Sequence, residues 1–166
     1  MNQQAIFAAG CFWGAQYYFD QIPGVVRTTV GYTGGYTDNP TYEVVCSHTT
    51  GHAEAVLLEF DPQTISYDML CQQFFRMHNP TQFNYQGPDY GDSYRTAIFY
   101  LNDNQKVIAE AALDAAQPNW EKPIVTEISK AGQFYSAEDY HQKFTEKTGR
   151  GMCHVPYQEL SETATK

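Results

Sequence analysis

Short apolar runs of strand character alternate with segments of helical periodicity along the whole chain, and this alternation limits the fold more than any other feature. Strands are expected over residues 5–9, 25–32, 53–60, 95–101 and 124–129, the clearest being 53–60. On 25–32, Val26, Val30 and Tyr32 share a face. Helices are expected over 13–21, stopping before Pro23, and from a Ser66 cap with Leu70, Phe74 and Met77 inward. A third covers 103–116 with Ile108, Ala111, Ala112 and Ala115 as its stripe. A helical turn falls at 42–46, and Ser136-Ala137-Glu138-Asp139 has the form of a capping box opening a last helix with Tyr140 and Phe144 inward. Two strands follow one another between some helices. The pattern therefore predicts an α+β fold, a two-layer sandwich (ferredoxin-like plait) with a mixed sheet, helices mainly on one face, and an irregular C-terminal tail. With 166 residues and neither repeat nor linker, the chain reads as a single domain over 1–166, its last stretch 149–166 a mobile tail carrying Cys153.

Thirteen Tyr and ten Phe supply enough rings to fill a core and to line pockets for small apolar groups. The formal net charge is −9 and Lys and Arg number ten, so there is no basic stripe, and nucleic acid or an anionic membrane surface is not an expected partner. No apolar run reaches the roughly 18 residues that a membrane-spanning helix needs. No basic segment followed by an apolar stretch opens the chain. A cytoplasmic monomer is the expectation.

Four cysteines in a chain of this kind suggest burial, catalysis or redox chemistry, not a disulfide scaffold. In Gly10-Cys11-Phe12-Trp13-Gly14, Cys11 follows a strand and sits at a helix start, where unpaired N–H groups and the helix dipole favour the thiolate that a thiol enzyme uses. A small cysteine buried between core aromatics fits the same residues. Glu54 shares a strand face with Val56, Leu58 and Phe60, and burial of that face would raise its pKa; a strand-end Glu reaching water is the alternative. Tyr42 and Tyr94 read equally as packing rings, and Asp89, beside Pro88 and Gly91, as a turn residue. Cys71, among Leu70, Phe74 and Phe75, reads as structural. Nothing local would lower the pKa of Cys46, so it reads as a bystander near the site. Cys46, His48 and His52 lack a fourth ligand at zinc spacing, and no metal is expected.

The pentapeptide around Cys11 resembles the signature of the peptide methionine sulfoxide reductase A family. Tyr42-Glu43-Val44-Val45-Cys46 followed by Gly51-His52-Ala53-Glu54-Ala55-Val56 resembles the family's second block. His78-Asn79-Pro80-Thr81-Gln82, Gln86-Gly87-Pro88-Asp89-Tyr90-Gly91 and Tyr94-Arg95 resemble its third, in family order and across most of the chain. The resemblance implies reduction of methionine S-sulfoxide, free and in oxidised proteins, with Cys11 attacking the sulfur and Glu54 protonating the oxygen. It further implies that Phe12 and Trp13 form an apolar pocket for the substrate methyl, that Tyr42 and Tyr94 bind the oxygen, and that Asp89 helps place substrate and water. A sulfoxide oxygen leaves only once protonated, so an acid and hydroxyl donors are what the chemistry requires.

The same resemblance implies a Cys11 sulfenic acid resolved by Cys153 to a disulfide that thioredoxin reduces, with no metal or organic cofactor. Asn79 stands where many relatives have Asp, and Ser93 where Gln is common; neither removes a group the reaction needs. A thiol peroxidase, which also cycles through a sulfenic acid but needs no methyl pocket, is the alternative reading, and a non-catalytic module binding through the aromatic loops is a second.

Overall fold

The structure is a computed structural model that describes residues 1–150, so the expected tail and Cys153 lie outside the described residues. In chain order the elements are β1 (Gln3–Ala9), α1 (Phe12–Asp20), β2 (Val25–Thr33), α2 (Tyr42–Cys46), β3 (Ala53–Phe60), α3 (Tyr67–Met77), β4 (Tyr85–Gln86), β5 (Asp89–Tyr90), β6 (Thr96–Tyr100), α4 (Asp103–Ala116), β7 (Glu127–Lys130), β8 (Tyr135–Ser136) and α5 (Phe144–Thr148). Six strands form one sheet in the order β7-β6-β1-β3-β2-β8, and β4 and β5 form a separate small hairpin. Strand β1 runs antiparallel to both β3 and β6, whereas β6 and β7 are parallel. The fold is thus α+β with a mixed sheet.

Central β1 is buried on both faces, which is why its apolar run is continuous and not alternating. Its odd positions Ala5, Phe7 and Ala9 join the core beneath the helices, together with Phe19 from α1, Leu70 and Phe74 from α3 and Ala109 from α4. Phe7 stacks at 5.4 Å on Phe19, 6.0 Å on Tyr67 and 5.2 Å on Phe74. The opposite face carries Ile6, Ala8, Ala53, Ala55, Ala97 and Phe99, packed against Leu57, Ala131 and Phe134. Helix starts are fixed locally: the Ser66 side chain accepts from Met69 N–H at 3.0 Å, and Asn102 accepts from Gln105 N–H at 2.9 Å.

Four local expectations are corrected by long-range structure. A register shift between Val25 and Arg27 turns Val26 outward, 58% exposed, away from the face of Val30 and Tyr32. Helix α4 buries Gln105, Ala109 and Ala112 while Ala111 and Ala115 face solvent. Gln105 goes inward because its amide accepts from Leu101 N–H and donates to the Gln4 carbonyl. The strand expected over 124–129 begins only at Glu127, because Val125 N–H is spent on the Pro80 carbonyl at 2.8 Å. Finally, Ser136-Ala137-Glu138-Asp139 opens no helix. Tyr135 and Ser136 pair with β2, a single helical turn follows at Asp139–His141, and α5 starts at Phe144. Tyr140 is consequently 57% exposed, and His141 is the residue that points in.

Phe7 joins two helices, α1 and α3, to the sheet. Phe7→Ala is expected to lower the unfolding free energy by about 3–5 kcal/mol, the usual cost of deleting a buried ring. Urea unfolding of the two proteins measures it, and a loss below about 1 kcal/mol would show that the ring stack is not what holds α1 and α3 to β1.

Candidate active site

Gly10, at φ +85°, makes the turn that lets the chain leave β1 and enter α1 within two residues. Cys11 lands at the N-cap of α1 and is half-buried. The Trp13 and Gly14 backbone N–H groups face its sulfur and favour the thiolate, as expected of a helix start. Burial opposes them, and so does the charge of Glu54; together they push the Cys11 thiol well above its usual range. The backbone N–H groups act in the expected direction, but burial outweighs them and the resting residue is a thiol; the Glu54 charge adds to this only when that carboxyl is ionised.

Glu54 stands on β3 across from Tyr32 of β2 and is 1% exposed. Its Oε1 accepts the Phe12 N–H at 3.1 Å. Its Oε2 is buried with no hydrogen-bond partner among the described residues. Burial raises its pKa to about 8; the Phe12 N–H pulls the other way, and the Asp89 charge adds to the rise. At neutral pH the group is a carboxylic acid with one free oxygen.

The remaining expected residues arrive from three segments. Tyr42 is the first residue of α2, Asp89 lies in the β4–β5 hairpin, and Tyr94 closes the helical turn Asp92–Tyr94. Burial holds both tyrosine pKa values far up, so the hydroxyls remain donors. Both hydroxyls lie close enough to the Cys46 sulfur to favour its thiolate, so Cys46 is near the site as expected, and burial nevertheless keeps its thiol raised. Asp89 is half-buried, and burial raises its carboxyl too. Cys11, Glu54, Tyr42, Cys46, Asp89 and Tyr94 thus share one electrostatic neighbourhood. Cys71 is elsewhere, fully buried on α3. Among the described residues no group of three or more His, Cys, Asp and Glu is arranged to hold a metal ion.

Phe12 is fully buried, its ring centroid 5.6 Å from Tyr32, 6.5 Å from Tyr42 and 5.2 Å from His141. Trp13 is half-buried and stacks on Phe144 of α5 at 4.0 Å. Three contributors went unnoticed in the sequence. Glu138 accepts from the Tyr32 hydroxyl at 2.8 Å and from the Tyr42 N–H at 3.0 Å. His141 accepts the Trp13 indole N–H at 2.9 Å. Gln142 brackets Val30, accepting from its N–H and donating to its carbonyl, both at 3.0 Å. The capping-box pattern at 136–139 concealed them; a polar triplet beside Tyr140 was the one signal available.

The family model for peptide methionine sulfoxide reductase matches residues 3–166. The chain belongs to that family. It is 54% identical over 144 residues to a peptide methionine sulfoxide reductase MsrA of Pasteurella multocida, covering 87% of this chain and 83% of the relative. Against that of Geobacter sulfurreducens it is 50% identical over 153 residues, with 91% and 94% covered. Among solved structures, reduced Mxr1 from Saccharomyces cerevisiae superposes with a TM-score of 0.88 at 32% identity over 95% of this chain and 93% of that one. Methionine sulfoxide reductase A of Corynebacterium diphtheriae gives 0.87 at 36% identity, with 92% and 77% covered. The protein is accordingly an oxidoreductase that reduces methionine sulfoxide by a thiol-dependent route. Among the described residues no helix is long and apolar enough to cross a membrane.

The raised carboxyl of Glu54 makes a stability prediction. Its folded pKa lies near 8 and its unfolded pKa near 4.5, so the native state holds an extra proton between those values and loses stability as pH rises through them. Relative to Glu54→Gln, which does not titrate, wild type is expected to lose stability across that window with a slope approaching about 1.4 kcal/mol per pH unit. Urea unfolding at several pH values tests this; parallel curves would mean that Glu54 titrates as an ordinary glutamate.

Proposed function

We propose that Cys11 is the nucleophile and Glu54 the acid in the reduction of methionine S-sulfoxide, free and in proteins. The observation that supports this best is the pairing of a buried, protonated carboxyl with a thiol through one backbone unit: Oε1 of Glu54 is fixed by Phe12 N–H, leaving Oε2 as the oxygen able to hand over a proton. Tyr42 and Tyr94 offer hydroxyl donors to the sulfoxide oxygen, Asp89 helps place substrate and water, and Phe12 and Trp13 form the apolar wall for the methyl group. Cys11 sulfur attacks the substrate sulfur while Glu54 protonates the oxygen. The hydroxyl passes to Cys11 as a sulfenic acid, methionine leaves as the reduced thioether, and the thiol proton restores Glu54. The balance is one thiol and one sulfoxide giving one sulfenic acid and one thioether. Protonation of Glu54 also removes the charge that opposes ionisation of Cys11, so acid and nucleophile are activated by the same proton.

For recycling, the reading is that Cys153, in the tail 149–166 of a single domain, condenses with the sulfenic acid and that thioredoxin reduces the resulting Cys11–Cys153 disulfide. Yeast Mxr1 has been solved in complex with Trx2, which accords with a thioredoxin-class reductant. A cytoplasmic monomer without metal or organic cofactor suits this cycle. The strand order β6-β1-β3-β2, with α1 and α3 as the crossovers, is what a ferredoxin-like plait would have, extended here by β7 and β8.

Cys11→Ser is expected to abolish turnover with any reductant, because a hydroxyl is not ionised near neutral pH. Glu54→Gln should slow methionine release in a single turnover by roughly 10²–10⁴-fold, the usual share of a general acid, with little change in substrate binding. Sulfoxide turnover by the serine variant above background would remove Cys11 from the role; an unchanged single-turnover rate would move the acid's role to Tyr42, Tyr94 or Asp89.

Cys153→Ser should release about one methionine per enzyme and then stall with thioredoxin as reductant. Chiral chromatography of a racemic substrate should show only the S epimer consumed. Sustained thioredoxin-driven turnover by the variant would pass the resolving role to Cys46 or Cys71.

A further inference from the structure

His141 is fully buried beside the reacting residues, and the chemistry above makes no use of it. Its ring centroid lies 5.2 Å from Phe12, 5.6 Å from Trp13, 4.4 Å from Tyr42 and 4.0 Å from Tyr140. A leucine or phenylalanine would fill such a nest without a polar atom to satisfy. Instead Nδ1 sits 2.9 Å from the Trp13 indole nitrogen, and Nε2 is buried without a partner among the described residues. The site therefore tolerates an unpaired donor to keep an acceptor against the indole. An indole N–H only donates, so Nδ1 must present its lone pair and the imidazole proton must sit on Nε2. Burial lowers the His141 pKa and so favours this neutral form, against the opposing charge of Glu138.

Stacking alone does not define how Trp13 stands. Phe144 lies against the indole at 4.0 Å and 19°, which fixes the plane of the ring but leaves open which edge faces which way. A hydrogen bond along the N–H is directional and removes that freedom. We propose that His141 is a positioning residue for substrate binding: by accepting the Trp13 indole N–H at Nδ1, it locks the indole in the one orientation that walls the methyl pocket. This rests on the reading of Trp13 as a wall of that pocket. His141 touches no reacting atom; its effect is on how well the sulfoxide is held.

Three substitutions and two readouts test it, with dithiothreitol as reductant so that recycling plays no part. His141→Leu removes the acceptor and keeps the bulk. His141→Asn keeps an acceptor close to the position of Nδ1. Trp13→Phe removes the N–H and keeps a ring. His141→Leu is expected to raise KM for methionine sulfoxide about 5–30-fold, the range for one lost buried hydrogen bond, with the single-turnover rate at saturating substrate within about twofold of wild type. His141→Asn should recover most of the loss.

The chain has two tryptophans, so the Trp13 indole N–H resonance is assigned by comparison with Trp120→Phe. It should keep its downfield, hydrogen-bonded position in His141→Asn and lose it in His141→Leu. In the Trp13→Phe background, His141→Leu should add nothing further to KM, since both variants delete the same bond. A wild-type KM for His141→Leu, or equal impairment of the Leu and Asn variants, overturns the proposal. If His141→Leu does not fold, the Trp13→Phe and His141→Asn pair decides: the indole resonance must persist in the Asn variant, and KM must rise when the N–H is deleted. Trp13→Ala separates the two levels of inference. A raised KM there with an unaffected His141→Leu sinks only the positioning role, whereas an unchanged KM sinks the reading of Trp13 and the role together.

Discussion

The hydrogen bond from Phe12 N–H to Glu54 Oε1 is the contact on which the rest of the site depends. It joins the first turn of α1, where the proposed nucleophile sits, to the middle strand that carries the proposed acid. It also uses a backbone donor that every helix start leaves unpaired, so the carboxyl serves as a remote cap for α1. The bond by itself lowers the Glu54 pKa; complete burial overrides it and leaves a carboxyl protonated near neutrality. Glu54 gains that burial on the face of β3 opposite Ala53 and Ala55, where the first turn of α1 covers its carboxyl. Acid strength at the site is thus set by how the sheet is covered and not by any one neighbour.

Around this contact the segment 137–143 acts as a brace. Glu138 holds Tyr32 and Tyr42, Gln142 brackets Val30, and the Lys143 N–H reaches Gln16 at 2.7 Å. Each of these bonds ends on α1, β2 or the first residue of α2, the elements that flank the site. The brace and the aromatic stack of Phe12, Trp13, Tyr42 and His141 are two sides of one construction, in which polar atoms set position and rings exclude water.

How much of this could be read from the chain depends on the range of the interaction. Element type followed local pattern: the apolar run of β1, the Ser66 and Asn102 caps and the alternating β3 are all within a few residues of their own cause. The bulge at Val26, the inward turn of Gln105 and the late start of the last helix have causes 35 to 100 or so residues away in sequence, in β3, in Gln4 and in β2. The same holds at the site. Cys11, Glu54, Tyr42, Asp89 and Tyr94 lie in recognisable blocks, and the structure brings them together. Glu138 and His141 become meaningful only beside Tyr32 and Trp13, more than a hundred positions earlier. The ionisation state of Cys11 follows the same rule: the helix start that favours a thiolate is visible locally, whereas the burial that outweighs it is not.

The position of β8 has a consequence for motion. Cys11 hangs from β1, paired along both edges and covered on both faces, so amide exchange at its root is expected to require near-global unfolding. The brace hangs from β8, an edge strand attached to β2 by only two residue pairs. The proposed catalytic centre is therefore assembled from the most protected and one of the least protected parts of the same sheet. Transient release of the edge would expose the aromatic cluster while Cys11 and Glu54 stay in register, a division of labour suited to an enzyme whose substrate side chains arrive on polypeptides of many shapes.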